Sequence, residues 1–436
     1  MMRANWIGLA TGAVTMLVVL LVVGGTRGSA AKPLVALTSH SRSMDARQPS
    51  RTFAMSVYRS ADRLPADPSF FPIGVWLQDP ANAPSYKAIG INLFIGLWEG
   101  PTDAQLSALG GAGMPVFADQ NAVGLAHRDD PTLAGWLQQD EPDNAQSDGA
   151  GGYGPCIDPS VVIARYQAMR ANDPTRPVLL NLGQGVAWDE DRPYVGRGSA
   201  CGAKWGQYPE YVKGADIVSF DIYPVTSPYE NIQGQLWRVA LGIDRLRAWT
   251  KGEKPVWSVI ETTHIGSAAM PTPHQVRAEV WMSLIHGATG LFYFAHEWQP
   301  SFREAGLLHY PEIRDAVTSL NKEIRDLAPV LNSPTVAGAL AVRSANPAVP
   351  VDTLVKGHGG WTYVFAVAMR DAATQATFTL PANLARALPG ASVEVVGEDR
   401  TLRFDGRSFT DAFDGYDVHL YRVPTVAWLG LPWLMR

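Results

Sequence analysis

The chain has 436 residues, 46% hydrophobic and 18% charged, enough apolar material for one large core and a smaller domain beside it. Its 36 basic and 41 acidic residues leave a net charge of -5 with no long run of one sign, so the basic stripe of a nucleic-acid binder is missing. Cys156 and Cys201 are the only cysteines and form no CxxC, which excludes a zinc ribbon and a thioredoxin-like site.

Residues 1–31 read as an export segment: Arg3 gives a positive start, Trp6 to Val23 is almost wholly apolar, and Gly28-Ser-Ala-Ala31 offers small residues to signal peptidase. The apolar run is long for a signal and nearly long enough to span a bilayer, so cleaved signal and retained membrane anchor both stay open. Either way the remainder is expected outside the cytoplasm, periplasmic or extracellular. There a disulfide between Cys156 and Cys201 is plausible, with two unpaired thiols as the alternative. Residues 32–68, rich in Ser, Arg and Ala without periodicity, read as a linker.

From Phe70 short apolar runs alternate with amphipathic stretches. Strands are expected at Phe71–Trp76, Ile91–Trp98, Met114–Asp119, Leu133–Gln139, Pro177–Leu182, Ala215–Tyr223, Val256–Glu261 and Gly290–Phe294. Such continuous apolar strands suit a sheet buried on both faces. Asp158-Pro159 opens a helix as N-cap and first residue. The stripe Leu236, Val239, Ile243, Leu246 and Trp249 stops at Gly252, and Thr272-Pro-His-Gln275 is a capping box. Ile313, Val317, Leu320, Ile324 and Leu327 form a last stripe. Eight strands with intervening helices over roughly 260 residues predict an α/β fold, a (β/α)8 barrel spanning 69–333. Helix signals after the first and third strands are weak. From 334 to 424, short alternating strands at Thr362, Ala376, Ser392 and Tyr416 predict an appended β-sandwich. The apolar tail 425–436 is too short to cross a bilayer; packing on the protein and lying on a membrane surface both stay open.

Leu133-Ala-Gly-Trp-Leu-Gln-Gln-Asp-Glu-Pro-Asp143 draws most attention, because Pro142 must end its strand and leaves Asp140 and Glu141 at the C-terminal edge. A later strand, Val256 to Glu261, ends on a second acid. The other strand ends add Trp76 and Gln78, Trp98 and Glu99, Asp119, Asn181 and Gln184, Asp221 and Tyr223, then His264, His296, Glu297 and Trp298. Acids, amides and aromatics with almost no Lys or Arg suit a neutral polyhydroxylated ligand, whereas a phosphate site would want basic groups. His264 and His296 could be metal ligands, but no HExxH or tight acid/His cluster accompanies them, so hydrogen bonding is the expected role and no metal or cofactor is implied. Trp188, Tyr194, Trp205 and Tyr208 either line distal subsites or pack the loop after strand five.

With these residues the chain resembles the retaining glycoside hydrolases of clan A, which carry an acid/base Glu after strand four, usually in Asn-Glu-Pro, and a nucleophile Glu after strand seven. Asp140-Glu141-Pro142 matches the first with one change, and Val259-Ile-Glu261 the second, three β/α units further on. The resemblance covers about residues 70–424 and assigns no family within the clan. It implies double displacement on an oligo- or polysaccharide, with Glu141 as acid/base and Glu261 as nucleophile. It also implies Tyr223 holding the nucleophile and Trp298 flooring the sugar subsite. Trp76, Trp98, Asp119, Asp140, Asn181, Asp221, His264 and His296 complete the expected substrate-binding set. Asp140 departs from the pattern, because an ionised Asp accepts where Asn would donate to the sugar 2-hydroxyl. Two alternatives accompany this reading: a catalytically silent polysaccharide-binding barrel in an export or matrix system, and a transglycosylase on the same scaffold.

Overall fold

The computed structural model describes residues 67–189, 205–381 and 392–424. The expected export segment, most of the linker and the C-terminal tail lie outside them, as do Tyr194 and Cys201. Among the described residues no helix is long and apolar enough to cross a membrane.

Eight parallel strands close into a barrel: β1 Ile73–Trp76, β2 Leu93–Ile95, β3 Val116–Ala118, β4 Leu133–Leu137, β5 Val178–Leu182, β6 Ile217–Phe220, β7 Val256–Glu261 and β8 Gly290–Phe294, with β8 pairing back on β1. Every strand residue but Phe294 is buried, because one face fills the barrel and the other meets the helices. Trp76, Leu93, Ile95, Phe117, Leu137, Leu179, Ile217, Trp257, Val259 and Phe292 form the interior. Space there is short: a Cβ on Gly135 would stand 2.1 Å from the Phe117 ring, so β4 can pass only as glycine at that point.

The helices are α1 Ala83–Ala88, α2 Asp103–Ala112, α3 Ala122–Ala126, α4 Pro159–Asn172, α5 Tyr208–Tyr211, α6 Trp237–Trp249, α7 Pro273–Ile285, α8 Gly306–His309 and α9 Pro311–Leu331. The helices after β1 and β3 are short, α1 and α3, as their weak signals predict. Asp158 caps α4 through the Ser160 N–H, and the Thr272–Gln275 box caps α7 reciprocally. Helix α7 is buried from Ala278 through Ile285 on all sides, since it lies between the barrel and a second β unit.

That unit consists of β9 Ala341–Ser344, β10 Val351–His358, β11 Trp361–Ala368, β12 Thr374–Thr379, β13 Ser392–Val395, β14 Arg400–Arg403, β15 Ser408–Phe413 and β16 Val418–Pro424. A five-stranded sheet ordered β10-β11-β16-β13-β14 faces a three-stranded sheet ordered β15-β12-β9 over a core that includes Phe378, Phe409, Phe413 and Tyr421. The fold is therefore a (β/α)8 barrel with a C-terminal β-sandwich.

Trp281 of α7 stacks on Phe365 of β11 with ring centroids 5.2 Å apart. After α7, His286 joins Asp244 of α6 (2.9 Å) to Asp352 of β10 (3.2 Å). Burial pulls this imidazole down, but the two aspartates outweigh it and hold its pKa up at about 9. A raised histidine contributes stability that is complete below its unfolded pKa and is lost as pH rises through the folded value. His286→Gln is therefore expected to lower the melting temperature near neutral pH, with the gap to wild type closing as the pH passes about 9. Thermal melts of both proteins across that range check it.

Candidate active site

The C-terminal mouth of the barrel collects side chains from every strand. Strand β4 ends where Gln138 turns outward, its amide donating to the Val162 and Gly214 carbonyls. Asp140 follows, exposed to solvent, and accepts from the Asn181 amide at 3.0 Å. Asn181 is buried at the end of β5 and in turn accepts from the Ser219 hydroxyl of β6 at 2.9 Å. One residue past β6, Asp221 is half-buried and accepts from the Tyr223 hydroxyl at 2.9 Å. Burial pushes that phenol well above its ordinary pKa, and the negative charges of Asp221, Asp140 and Glu261 add to the effect. Strands four, five and six thus contribute a hydrogen-bonded chain, Asp140–Asn181–Ser219, and beside it the Asp221–Tyr223 pair.

Glu141 takes a different course. Its backbone lies in the left-handed region (φ +42), its N–H donates to the Asn181 carbonyl at 3.0 Å, and only 9% of its surface is exposed. A Cβ on Gly183 would stand 2.5 Å from the Asn144 amide nitrogen and 3.1 Å from Glu141 Oε1, so the start of the loop after β5 is packed closely against this corner. Asp143 anchors the same corner, accepting from the Gly183 N–H and the Tyr208 hydroxyl at 2.9 Å each. Burial lifts its carboxyl to about 6 against the pull of those donors. Nothing in the apolar pattern marked Asp143, whose only signal is its place in Asp-Glu-Pro-Asp.

Glu261 does not open into the mouth. It is 0% exposed; Oε1 accepts from the Val225 N–H (2.6 Å), and Oε2 from the Thr226 N–H (3.0 Å) and hydroxyl (2.7 Å). Burial raises its pKa to about 7 even against these donors. Glu279 of α7, also 0% exposed, adjoins it. The Tyr223 hydroxyl, expected to hold this acid, is donated to Asp221 instead.

The remaining expected residues divide between wall and rim. Trp76 packs inside the barrel, stacked on Phe292 at 5.8 Å, and so presents no open face to a sugar. Trp98 is 47% exposed on the rim. Asp119 is exposed at the end of β3, and partial desolvation raises its carboxyl to about 6. His296 is buried, its Nε2 3.1 Å from the Leu77 carbonyl and 3.2 Å from the Gln78 amide, and burial holds it near 4, therefore neutral. His264 directs Nδ1 at the Ala269 carbonyl (3.0 Å), and its own carbonyl accepts from the Trp298 N–H at 2.8 Å. Phe302, which the sequence did not single out, is 58% exposed and packs on both His296 and Trp298.

The aromatic cluster after strand five turns out to pack its loop: Trp188 and Tyr208 are buried, Tyr208 stacks on Trp249 at 4.8 Å, and Arg245 lies over Trp205 at 4.4 Å. No cysteine among the described residues is a free thiol, Cys156 included. Among those residues no cluster of three His, Cys, Asp or Glu side chains could hold a metal ion.

No family profile and no curated protein sequence matches the chain. Solved structures do. AmyP, determined with maltotriose, superposes with a TM-score of 0.50 at 10% identity over 86% of this chain and 100% of its own. The α-amylase of Geobacillus thermoleovorans with acarbose gives 0.47 at 13% over 84% and 99%. The family GH30 endoxylanase of Clostridium papyrosolvens C71 gives 0.43 at 13% over 81% and 96%. At these identities the likeness is one of fold.

Asn181→Ala is expected to cost about 1–3 kcal/mol of stability, because it leaves the buried Ser219 hydroxyl only the Leu180 carbonyl at 3.5 Å and removes the donor to Asp140. A lower urea midpoint at unchanged slope checks it.

Proposed function

We propose that the protein is a glycosidase that cleaves a glycosidic bond in an oligo- or polysaccharide at the C-terminal mouth of its barrel. The observation that carries this reading is the network from Asp140 through Asn181 to Ser219, beside the Asp221–Tyr223 pair. It offers carboxylates, an amide and hydroxyls within reach of one another, with Trp98 and Phe302 exposed at the rim as flat faces for sugar rings. Maltotriose in AmyP supports a carbohydrate as the ligand class, since the two chains share a fold.

In this mechanism Glu141 is the acid/base, as the Asp-Glu-Pro resemblance implies, and the nucleophile is the carboxylate that reaches water. Asp221, half-buried at the mouth, fits that role better than Glu261, which is 0% exposed. Asp221 attacks the anomeric carbon as the bond to the departing oxygen breaks, and Glu141 gives that oxygen its proton. Water then attacks the glycosyl ester while Glu141 takes back a proton, freeing Asp221 and retaining the anomeric configuration. Tyr223 orients Asp221 by its hydrogen bond. The same reading has the chain exported by residues 1–31, with Cys156 and Cys201 joined outside the cytoplasm.

The enclosed Glu261 also favours a second reading, in which the mouth binds glycan without turning it over. Aryl-glycoside and polysaccharide panels separate the two. Asp221→Asn and Glu141→Gln are each expected to lower kcat/KM by on the order of 10²–10⁴ with the melting temperature little changed. Glu261→Gln is expected to shift the melting temperature more than kcat. Loss of turnover in Glu261→Gln alone would return the nucleophile to β7. Glycan binding without turnover in any form would leave the binding barrel.

A further inference from the structure

Glu261 and Glu279 share one compartment from which water is excluded, both at 0% exposure. Their hydrogen bonding is unequal. The Val225 and Thr226 N–H groups and the Thr226 hydroxyl all go to Glu261. Among the described residues the one N–H that approaches Glu279 is the backbone N–H of Glu261, outside good hydrogen-bond geometry, and no Lys, Arg or His forms an ion pair with either carboxyl. An ionised carboxylate with so little donor support is too costly to keep in such a place, and a second charge beside it costs more. One arrangement satisfies both groups: Glu261 ionised on its three donors, and Glu279 a neutral acid whose O–H donates to Glu261.

We propose that Glu279 is a positioning residue that keeps its proton, donates it to Glu261 in a hydrogen bond, and thereby fixes the Val225–Thr226 turn that carries Tyr223 and, through it, Asp221. No proton leaves the pair while the turn is held. Removing that proton puts two charges in the compartment and sets the turn against α7. Gly266 shows how little room there is for the turn to give, since a Cβ there would lie 2.8 Å from the Thr226 carbonyl.

The groups facing Glu279 agree with a neutral acid. From β7 it meets Glu261, and from the turn before β16 Tyr416, whose hydroxyl is donated to the Gly234 carbonyl at 2.6 Å. Arg370 and Asp371 lie nearer Tyr416, and Arg277 of α7 is turned away to Glu323 of α9. Burial pushes Glu279 well above the usual carboxyl range, with the charge of Glu261 adding to it, and Glu261 itself is raised to about 7. Raised carboxyls contribute stability that is present at low pH and is lost as pH rises through the folded values.

The part of this inference that concerns Asp221 rests on the proposed glycosidase reading; the protonation of Glu279 does not. Infrared difference spectroscopy on the whole protein is expected to show the carbonyl stretch of a buried carboxylic acid that persists above pH 7, where Glu261 is ionised, and is absent there in Glu279→Gln. The wild-type band is expected to fade on raising the pH, together with a fall in melting temperature that Glu279→Gln, with its permanent amide donor, does not share. Should the variant fold poorly, the pH titration of the wild-type band against its own melting curve still decides the matter. No buried-acid band in wild type, or the same band and the same pH dependence of melting in both proteins, overturns the proposal. Failure of every glycan substrate would leave these readouts untouched.

Discussion

A carboxylate sealed from water has to be met by donors, and at the end of β7 that demand shapes its surroundings. Two backbone N–H groups and a hydroxyl from residues 225–226 converge on Glu261, which therefore ties the loop after β6 to β7. Helix α7 seals the far side, and it can do so because the β-sandwich covers its outer face through Trp281 and Phe365. The appended domain thus helps to keep the compartment dry. Without that cover, α7 would expose a face that is apolar almost throughout.

With Glu261 engaged in this way, the chemistry open to solvent moves to the neighbouring strands. Asn181 and Ser219 occupy inward positions on β5 and β6, where a fully apolar barrel would have placed aliphatic side chains. They are neutral, so they orient Asp140 without adding charge. Tyr223 does the same for Asp221. A carboxylate oriented by a neutral donor at the mouth of the barrel is suited to meeting the hydroxyls of a sugar. His296, neutral and stacked under Phe302, extends the apolar part of the rim.

The barrel was legible because its signals are local. Val178–Leu182 and Val256–Glu261 are apolar runs of strand length, and Asp158-Pro159 and Thr272-Pro-His-Gln275 carry their own capping chemistry. In the sandwich, β9, β10, β14 and β15 were not anticipated; in β14, Arg-Thr-Leu-Arg alternates between half-buried and exposed positions and has little apolar content. The site was legible only in part. Sequence spacing identifies Glu261 as the last residue of β7, but not the compartment its side chain enters. That choice depends on where residues 225–226 and Glu279 come to rest, and all of them are distant in sequence. Trp76 misled in a similar way: a tryptophan at a strand end can face the mouth or fill the barrel, and Phe292 gives it a partner inside. Phe302 left no trace in the periodicity, because it sits in an irregular hairpin after β8 and acquires its setting from His296 and Trp298.

Covalent trapping offers the most direct check on the central claim that the mouth carboxylates do the chemistry. The protein would be incubated with a panel of fluorinated glycosides that stall the glycosyl ester, then digested and mapped by mass. The account predicts a label on the peptide that contains Asp221. A label on the peptide ending β7, at Glu261, would contradict it.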